Sequence, residues 1–362
     1  MEIDVSGHIL TVAFAANGEY IVGGGNDRVE VWRVEDGTRM ATMEAPSVRC
    51  LAASKDGRWI AAGTLDGDVI MWDAKTFEKV FAHKEVDYII NGVDFSPDST
   101  RLVTASWNST ATIWDLAARE KVRTLDHEGR VVAAKYSPRG DRIATATRDS
   151  VRVWGSDDGR LLVDIPVKVT PYSNNGLLWS NSHLFVVPYG TIKQIEASTG
   201  STVSEWPAPD TDRLSCIALP KHGGFIAYFA KDTITFWNTS TDAQLSLIQL
   251  PQNPCSIAIS PDHRFLATGG EGGKITVGSL SRIIVSVVFL WITAYLSNFL
   301  VFSSSQIGFH PNVSSVSHFP GTCHSDRRRC APFMEVQSAR ERGRIIDRSH
   351  RRVSESKPSC TR

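Results

Sequence analysis

Cysteine is scarce in this chain: six in 362 residues, at positions 50, 216, 255, 323, 330 and 360. That is too few and too irregular for a disulfide framework, and a reducing compartment is the default expectation. Net charge is lacking as well, with 39 Lys+Arg against 39 Asp+Glu. The N-terminus, MEIDVSGHILTVAF, carries Glu2 and Asp4 and no basic leader, so neither a secretory signal peptide nor export is expected. HExxH, GxSxG and CxxC are all missing. What is present, 42% hydrophobic and 22% charged residues, is the balance of a folded protein. Wholesale disorder, collagen-like structure and a multi-span membrane protein are excluded.

The chain repeats itself. Short apolar runs end in tryptophan at Trp32, Trp72, Trp114, Trp154 and Trp237, at intervals of 40, 42, 40 and 83 residues. The last interval is two periods, and GTIKQIEAS places Ile195 at the hidden tryptophan position. GGKITVGSL places Gly278 there once more, 41 residues beyond Trp237. Seven units in one phase result. Each unit also has an apolar strand running into a Pro/Asp/Asn/Gly turn (VAFAANG, VDFSPDS, AKYSPRG, IAISPDH). A small-residue strand follows (IVGGG, IAAG, LVTAS, IATAT), and then a tight turn holding Asp27, Asp66, Asn108, Asp149 or Asp232. Roughly four strands per forty residues make one antiparallel blade.

This pattern resembles the WD-repeat β-propellers over residues 1 to 280. The dipeptide itself stands at Trp72-Asp73 and Trp114-Asp115. The resemblance implies an all-β fold, a seven-bladed propeller of four-stranded antiparallel blades followed by a non-propeller tail. It also implies a buried polar tetrad of His, Ser/Thr, Asp and Trp. By spacing the fourth unit holds all four, His127, Thr145, Asp149 and Trp154. The third keeps Thr104 and Trp114 with Asn108 for Asp, and its His83 lies three residues early; His8 in the first unit lies three residues late. The seventh unit supplies three strands, so Glu2 to Val5 is expected to complete its sheet and close the ring.

No motif reads as catalytic, and neither a cofactor nor a metal site is expected. Gly-Gly-Glu-Gly-Gly-Lys at 269–274 lacks the Gly and Ser/Thr a phosphate loop requires at Thr268 and Ile275, and reads as a hairpin turn. Cys50, Cys216 and Cys255 lie on apolar first strands and read as core. Among the tail residues, Cys323, His324 and Cys330 lack the second close pair of a zinc site. The expected function is a non-enzymatic scaffold that binds other proteins on one face of the propeller. The resemblance places the contact residues just before the turn Asp: Asn26, Leu65, Trp107, Arg148 and Lys231. The alternative is an enzyme or small-molecule binder using the central channel. Such a site needs several convergent charges, and the first strands offer Asp94 and Lys135.

After residue 280 the composition changes twice. Residues 283–302, IIVSVVFLWITAYLSNFLVF, contain no charge and at about 1.5 Å rise each are long enough to cross a bilayer as one helix. They are also rich in β-branched and aromatic residues, so an extra strand or an appended sequence without a selected role stays open. Residues 303–362 carry eleven Lys+Arg and five Asp+Glu, leaving the rest of the chain at a net −6. Arg327–Arg329 and the run from Arg340 to Arg352 are read as a solvated, disordered tail, and the negative propeller argues against nucleic acid as its ligand. The expected domains are therefore 1–280, 281–302 and 303–362. The expected location is cytoplasmic, with anchoring by a single span through 283–302 as the alternative.

Overall fold

The computed structural model describes residues 1–281 except 6, 86, 171–175, 209–215, 221–222, 231, 251–253 and 271. The chain divides into two units, Met1–Gln306 and Ile307–Arg362, and the described residues all lie in the first. They form seven four-stranded antiparallel sheets. Six are consecutive meanders: blade 1 spans 9–44, blade 2 48–84, blade 3 90–126, blade 4 131–165, blade 5 177–207 and blade 6 216–249. Blade 7 takes Pro254–Ile259, Phe265–Gly270 and Lys274–Ser279 and adds the N-terminal strand Glu2–Asp4 as its fourth.

The forty-residue period becomes one register. Trp32, Trp72, Trp114, Trp154, Ile195, Trp237 and Gly278 all face the same second-strand position, occupied by Ile21, Ile60, Leu102, Ile143, Leu184, Ile226 and Leu266. Both hidden units are therefore real blades. In the six consecutive blades the ladder to the fourth strand shifts at this residue, from Val31/Trp32 in blade 1 to Phe236/Trp237 in blade 6. Such a bulge bends the strand and increases its twist.

Each blade buries both faces against its neighbours, which explains the small residues of the second strands. A Cβ on Gly63 would lie 2.5 Å from Ile90 Cγ2 of blade 3, and one on Gly24 2.6 Å from Val48 Cγ1 of blade 2. The first strands of successive blades touch all the way round and line a central channel, while the fourth strands are the most exposed. The ring closes where Ile3 pairs with Ile275, flanked by Glu2 with Thr276 and Asp4 with Lys274. Val5 N–H donates to the Gly273 carbonyl at 2.7 Å and Val277 N–H to the Met1 carbonyl at 2.8 Å.

The Asp that follows Trp in the two WD dipeptides shapes the next turn. Asp73 Oδ1 accepts from the N–H groups of Lys75 (2.9 Å) and Thr76 (3.0 Å), and Asp115 Oδ1 from Ala117 (2.9 Å) and Ala118 (2.8 Å). Asn238 does the same for Ser240 and Thr241, so Trp-Asn fills the place of Trp-Asp in blade 6. These are Asx-turns, in which a short carbonyl side chain replaces a backbone acceptor.

Among the described residues no helix is long and apolar enough to cross a membrane. The span expected at 283–302, the basic tail and the Cys323/His324/Cys330 group lie outside the described residues.

Candidate functional site: one rim of the propeller

Because the blades are antiparallel meanders, turns between second and third strands and the loops between blades emerge on one rim. Of the expected contact residues, Asn26, Leu65, Trp107 and Arg148 sit there. Backbone bonds pin them: Leu65 N–H donates to the Ser47 carbonyl at 2.9 Å and Trp107 N–H to Ile89 at 3.0 Å, while the Arg148 carbonyl accepts from Val169 N–H at 2.8 Å and that of Asn26 from Ser47 N–H. The backbone is thus fixed by a loop between blades, the one entering the same blade for Leu65 and Trp107 and the one leading to the next blade for Asn26 and Arg148, and the side chains of Asn26, Leu65 and Arg148 stand exposed. Lys231 lies outside the described residues.

Trp107 behaves differently. It is half-buried, its indole Nε1 is buried without a partner, and the Arg130 guanidinium lies 4.7 Å from the ring centroid. Arg130 comes from the loop between blades 3 and 4, so this cation–π pair joins two loops of the rim. Two further aromatics belong to the same rim: Tyr88 in the loop between blades 2 and 3, 58% exposed, and Tyr189 in the second-to-third-strand turn of blade 5, 49% exposed. Tyr189 escapes a search keyed to a turn Asp because the fifth unit has none.

Below the rim, blade 4 brings together three of the four expected tetrad residues. Trp154 Nε1 donates to Thr145 Oγ1 at 2.8 Å, and Thr145 Oγ1 lies 2.7 Å from His127 Nε2. The other ring nitrogen, Nδ1, is 3.0 Å from the Leu125 carbonyl. A carbonyl only accepts, so Nδ1 carries the proton and Nε2 accepts from the threonine hydroxyl. Asp149 does not join this chain; it is exposed, and its backbone N–H faces Thr147 Oγ1 at 3.4 Å.

Blade 3 has the same arrangement with a different terminal acceptor. Trp114 Nε1 donates to Thr104 Oγ1 at 3.1 Å, and Thr104 Oγ1 donates to Glu85 Oε2 at 2.8 Å. Glu85 is 8% exposed and lies 42 residues before His127, so the period alone points to it. His83 instead meets the Trp114 ring edge-on at 5.1 Å, and His8 is exposed on the loop into blade 1. In blade 6 Tyr228 takes the threonine position, opposite Thr235, and Trp237 Nε1 is buried without a partner.

Burial pushes the His127 imidazole down to about 4. In the unfolded chain histidine titrates near 6.5. Between those values the unfolded chain takes up a proton that the folded chain refuses, so stability falls as pH falls from about 6.5 and the loss is complete below about 4. The expected loss is on the order of 3 kcal/mol. Urea unfolding at pH 7, 5.5 and 4 checks this, and His127→Gln should flatten the dependence across that window. Carboxylates held low by backbone N–H groups, such as Asp73, lose their contribution only at lower pH.

The channel holds a charge that the sequence reading passed over. Besides Asp94 and Lys135, Arg49 lies on a first strand, 9% exposed, with Nε donating to Asn91 Oδ1 at 2.9 Å. Asn91 in turn donates to the Val132 carbonyl at 2.6 Å. Asp94 is bridged to Lys135 at 3.0 Å and accepts from Tyr136 N–H at 2.9 Å. Cys50, Cys216 and Cys255 are buried and not joined in disulfides, and burial pushes the Cys50 thiol up to about 12, far from the reactive thiolate range. Among the described residues no cluster of three His, Cys, Asp or Glu could hold a metal ion.

The geometry defines a repeat propeller, and comparison with known proteins agrees. The family model "WD domain, G-beta repeat" matches residues 3–33, 37–73, 75–115, 119–163 and 248–277, and the chain belongs to that WD40 family. Among curated relatives, WD repeat-containing protein 1 of Gallus gallus is 39% identical over 88 residues, 24% of this chain and 14% of that protein. Periodic tryptophan protein 2 of Arabidopsis thaliana is 28% identical over 145 residues, 38% of this chain and 16% of that protein. The chain therefore spans under a fifth of the length of either. Pre-mRNA-processing factor 19 homolog 2 of the same plant is 24% identical over 249 residues, 63% and 46% of the two chains. A chain in a crystal structure of the mitotic checkpoint complex superposes with a TM-score of 0.67 at 17% identity, covering 77% of this chain and 93% of that one; it shows the fold alone.

Proposed function

We propose that the protein is a non-catalytic scaffold that holds other proteins on the rim carrying Asn26, Leu65, Trp107 and Arg148, with Lys231 as the fifth contact residue by its position in the sequence. The observation that carries this reading is the Trp107–Arg130 pair: a large aromatic and a stacked guanidinium on a backbone pinned from both sides. Trp and Arg are the residue types enriched at interface hot spots, and a preorganised backbone lowers the entropy lost on binding. Leu65 and Tyr88 extend the apolar surface beside it, and Arg148 adds a cation with no carboxylate partner among the described residues.

The channel-enzyme reading is less well supported, because the first-strand charges are committed to each other or to neighbouring amides. Quantitative mass spectrometry of proteins captured by the full chain and by Trp107→Ala/Arg148→Ala tests the reading. Specific partners should fall by at least about tenfold with the double variant, the scale of one hot-spot residue; equal capture would refute it.

A further inference from the structure

We propose that residues 283–302 of this chain fold back over the opposite mouth of the channel and close it from that side. The mouth is a cavity of about 600 Å³ at the ends of the first strands. Its register is regular: Phe14, Phe95, Tyr136 and Trp179 occupy one equivalent position in blades 1, 3, 4 and 5, each facing the second-strand residue that pairs with the tryptophan position. Three prolines of the turns, among them Pro261 of blade 7, complete the apolar part of the lining. That volume is within the range of pockets that take large apolar groups.

The period shows where the segment would otherwise go. In the six consecutive blades the tryptophan position pairs with the residue seven further on in the fourth strand, Trp32 with Arg39, Trp72 with Lys79 and so on to Trp237 with Gln244. Seven beyond Gly278 is Val285, so residues 285–290 stand in phase with a fourth strand of blade 7. That place is taken, because Ile3 faces Ile275 with Glu2 and Asp4 on either side. The third strand ends at Ser279, and the next N–H, of Leu280, donates to the Arg264 carbonyl at 2.8 Å. Pro261 and Asp262 of the same turn line the cavity. The first strand of blade 7 lies two strands away from the third, about 10 Å at the usual strand spacing, and about three extended residues cover that distance. The uncharged segment begins at that reach, with Ile283.

Charge and tethering select this occupant. The turns around the mouth carry both signs side by side, Lys55 beside Asp56, Arg139 near Asp141 and Asp262 near Arg264, and Asp94 is bridged to Lys135 at 3.0 Å. Asp56, Asp98 and Asp262 each accept from the serine hydroxyl two residues before them, Ser54, Ser96 and Ser260. Such a mouth favours neither an acidic nor a basic partner. Residues 283–302 carry no charge and gain about 25 cal/mol for each Å² of apolar surface they bury. Left in solvent, a stretch of that kind is an aggregation liability. The tether adds the rest: a segment held at the edge of the cavity has an effective concentration on the order of millimolar, which a partner peptide or a second copy has to exceed.

The test uses the full chain with the photocrosslinker benzoyl-phenylalanine in place of Phe289, irradiated with and without phosphatidylcholine vesicles and mapped by mass spectrometry. Crosslinks should form within one chain, on the peptides holding Phe95, Tyr136 or Pro261. Hydrogen–deuterium exchange reads the same contact: the turns at 54–58, 96–101 and 137–142 should exchange at least about fivefold faster in Val288→Asp/Trp291→Asp than in the unsubstituted chain. Both substitutions lie outside the blades, so the propeller itself is left intact. Crosslinks to Lys274–Ser279 would give the segment the fourth-strand place, crosslinks between two chains would give it to a second copy, and crosslinks confined to lipid would make it a membrane segment. Any of these results, a lack of crosslinks to the mouth, or turns that exchange alike in both chains would overturn the proposal.

Discussion

Removal of Met1–Val5 is expected to lower the unfolding free energy by about 3–5 kcal/mol, the sum of one buried Ile side chain and a few ladder hydrogen bonds. Ile3 is 7% exposed within the cluster formed by Ile9, Trp32 and Ile275, so its loss opens blade 7 and the adjoining face of blade 1 together. The Lys274 ammonium also loses Glu2 at 3.6 Å and Asp4 at 3.9 Å, a minor term for surface ion pairs. Without the strand, Lys274–Ser279 becomes an open edge. Equilibrium urea unfolding of the full chain and the truncated one measures the loss. An unchanged midpoint would mean that another segment closes the ring.

Thr145→Val is expected to be the second large effect, at about 2–4 kcal/mol, because one hydroxyl serves two buried groups. The substitution keeps the shape but leaves Trp154 Nε1 without an acceptor and His127 Nε2 without a donor. Trp154→Ala should cost about 3–5 kcal/mol, for the cavity it leaves. The double variant Thr145→Val/His127→Ala should cost less than the two single changes added, since the partners of one network are not independent. Additive losses in the same urea assay would show that the three side chains do not act as a chain.

The fold was legible in the sequence because a propeller repeats one register seven times. Ile195 and Gly278 carry no tryptophan, yet the period alone places them, and the structure pairs them with Leu184 and Leu266. The closing strand was legible by elimination, since blade 7 has only three strands of its own. The polar chains were less so, because they depend on an atom at a point in space, not on a residue type. Glu85 does for Thr104 what His127 does for Thr145, and a search for imidazole overlooks a carboxylate. Asp149 has the right spacing, but its turn leaves the side chain in solvent. Arg49 was missed for a related reason: in an apolar run such as VRCLAA a single arginine looks incidental until Asn91, 42 residues on, is seen to accept from it. The rim was legible as a set of turn positions, whereas the Arg130 guanidinium over Trp107 joins two loops that no spacing rule connects.

The most direct measurement of the central claim is hydrogen–deuterium exchange on the full chain, alone and bound to the partner most strongly enriched in the capture experiment. Binding on the rim predicts added protection in the turns holding Leu65, Trp107 and Arg148 and in the loop at Tyr88, with the fourth strands unchanged. Protection confined to the exposed fourth strands or to the opposite mouth, with those turns exchanging as in the free protein, would contradict the account.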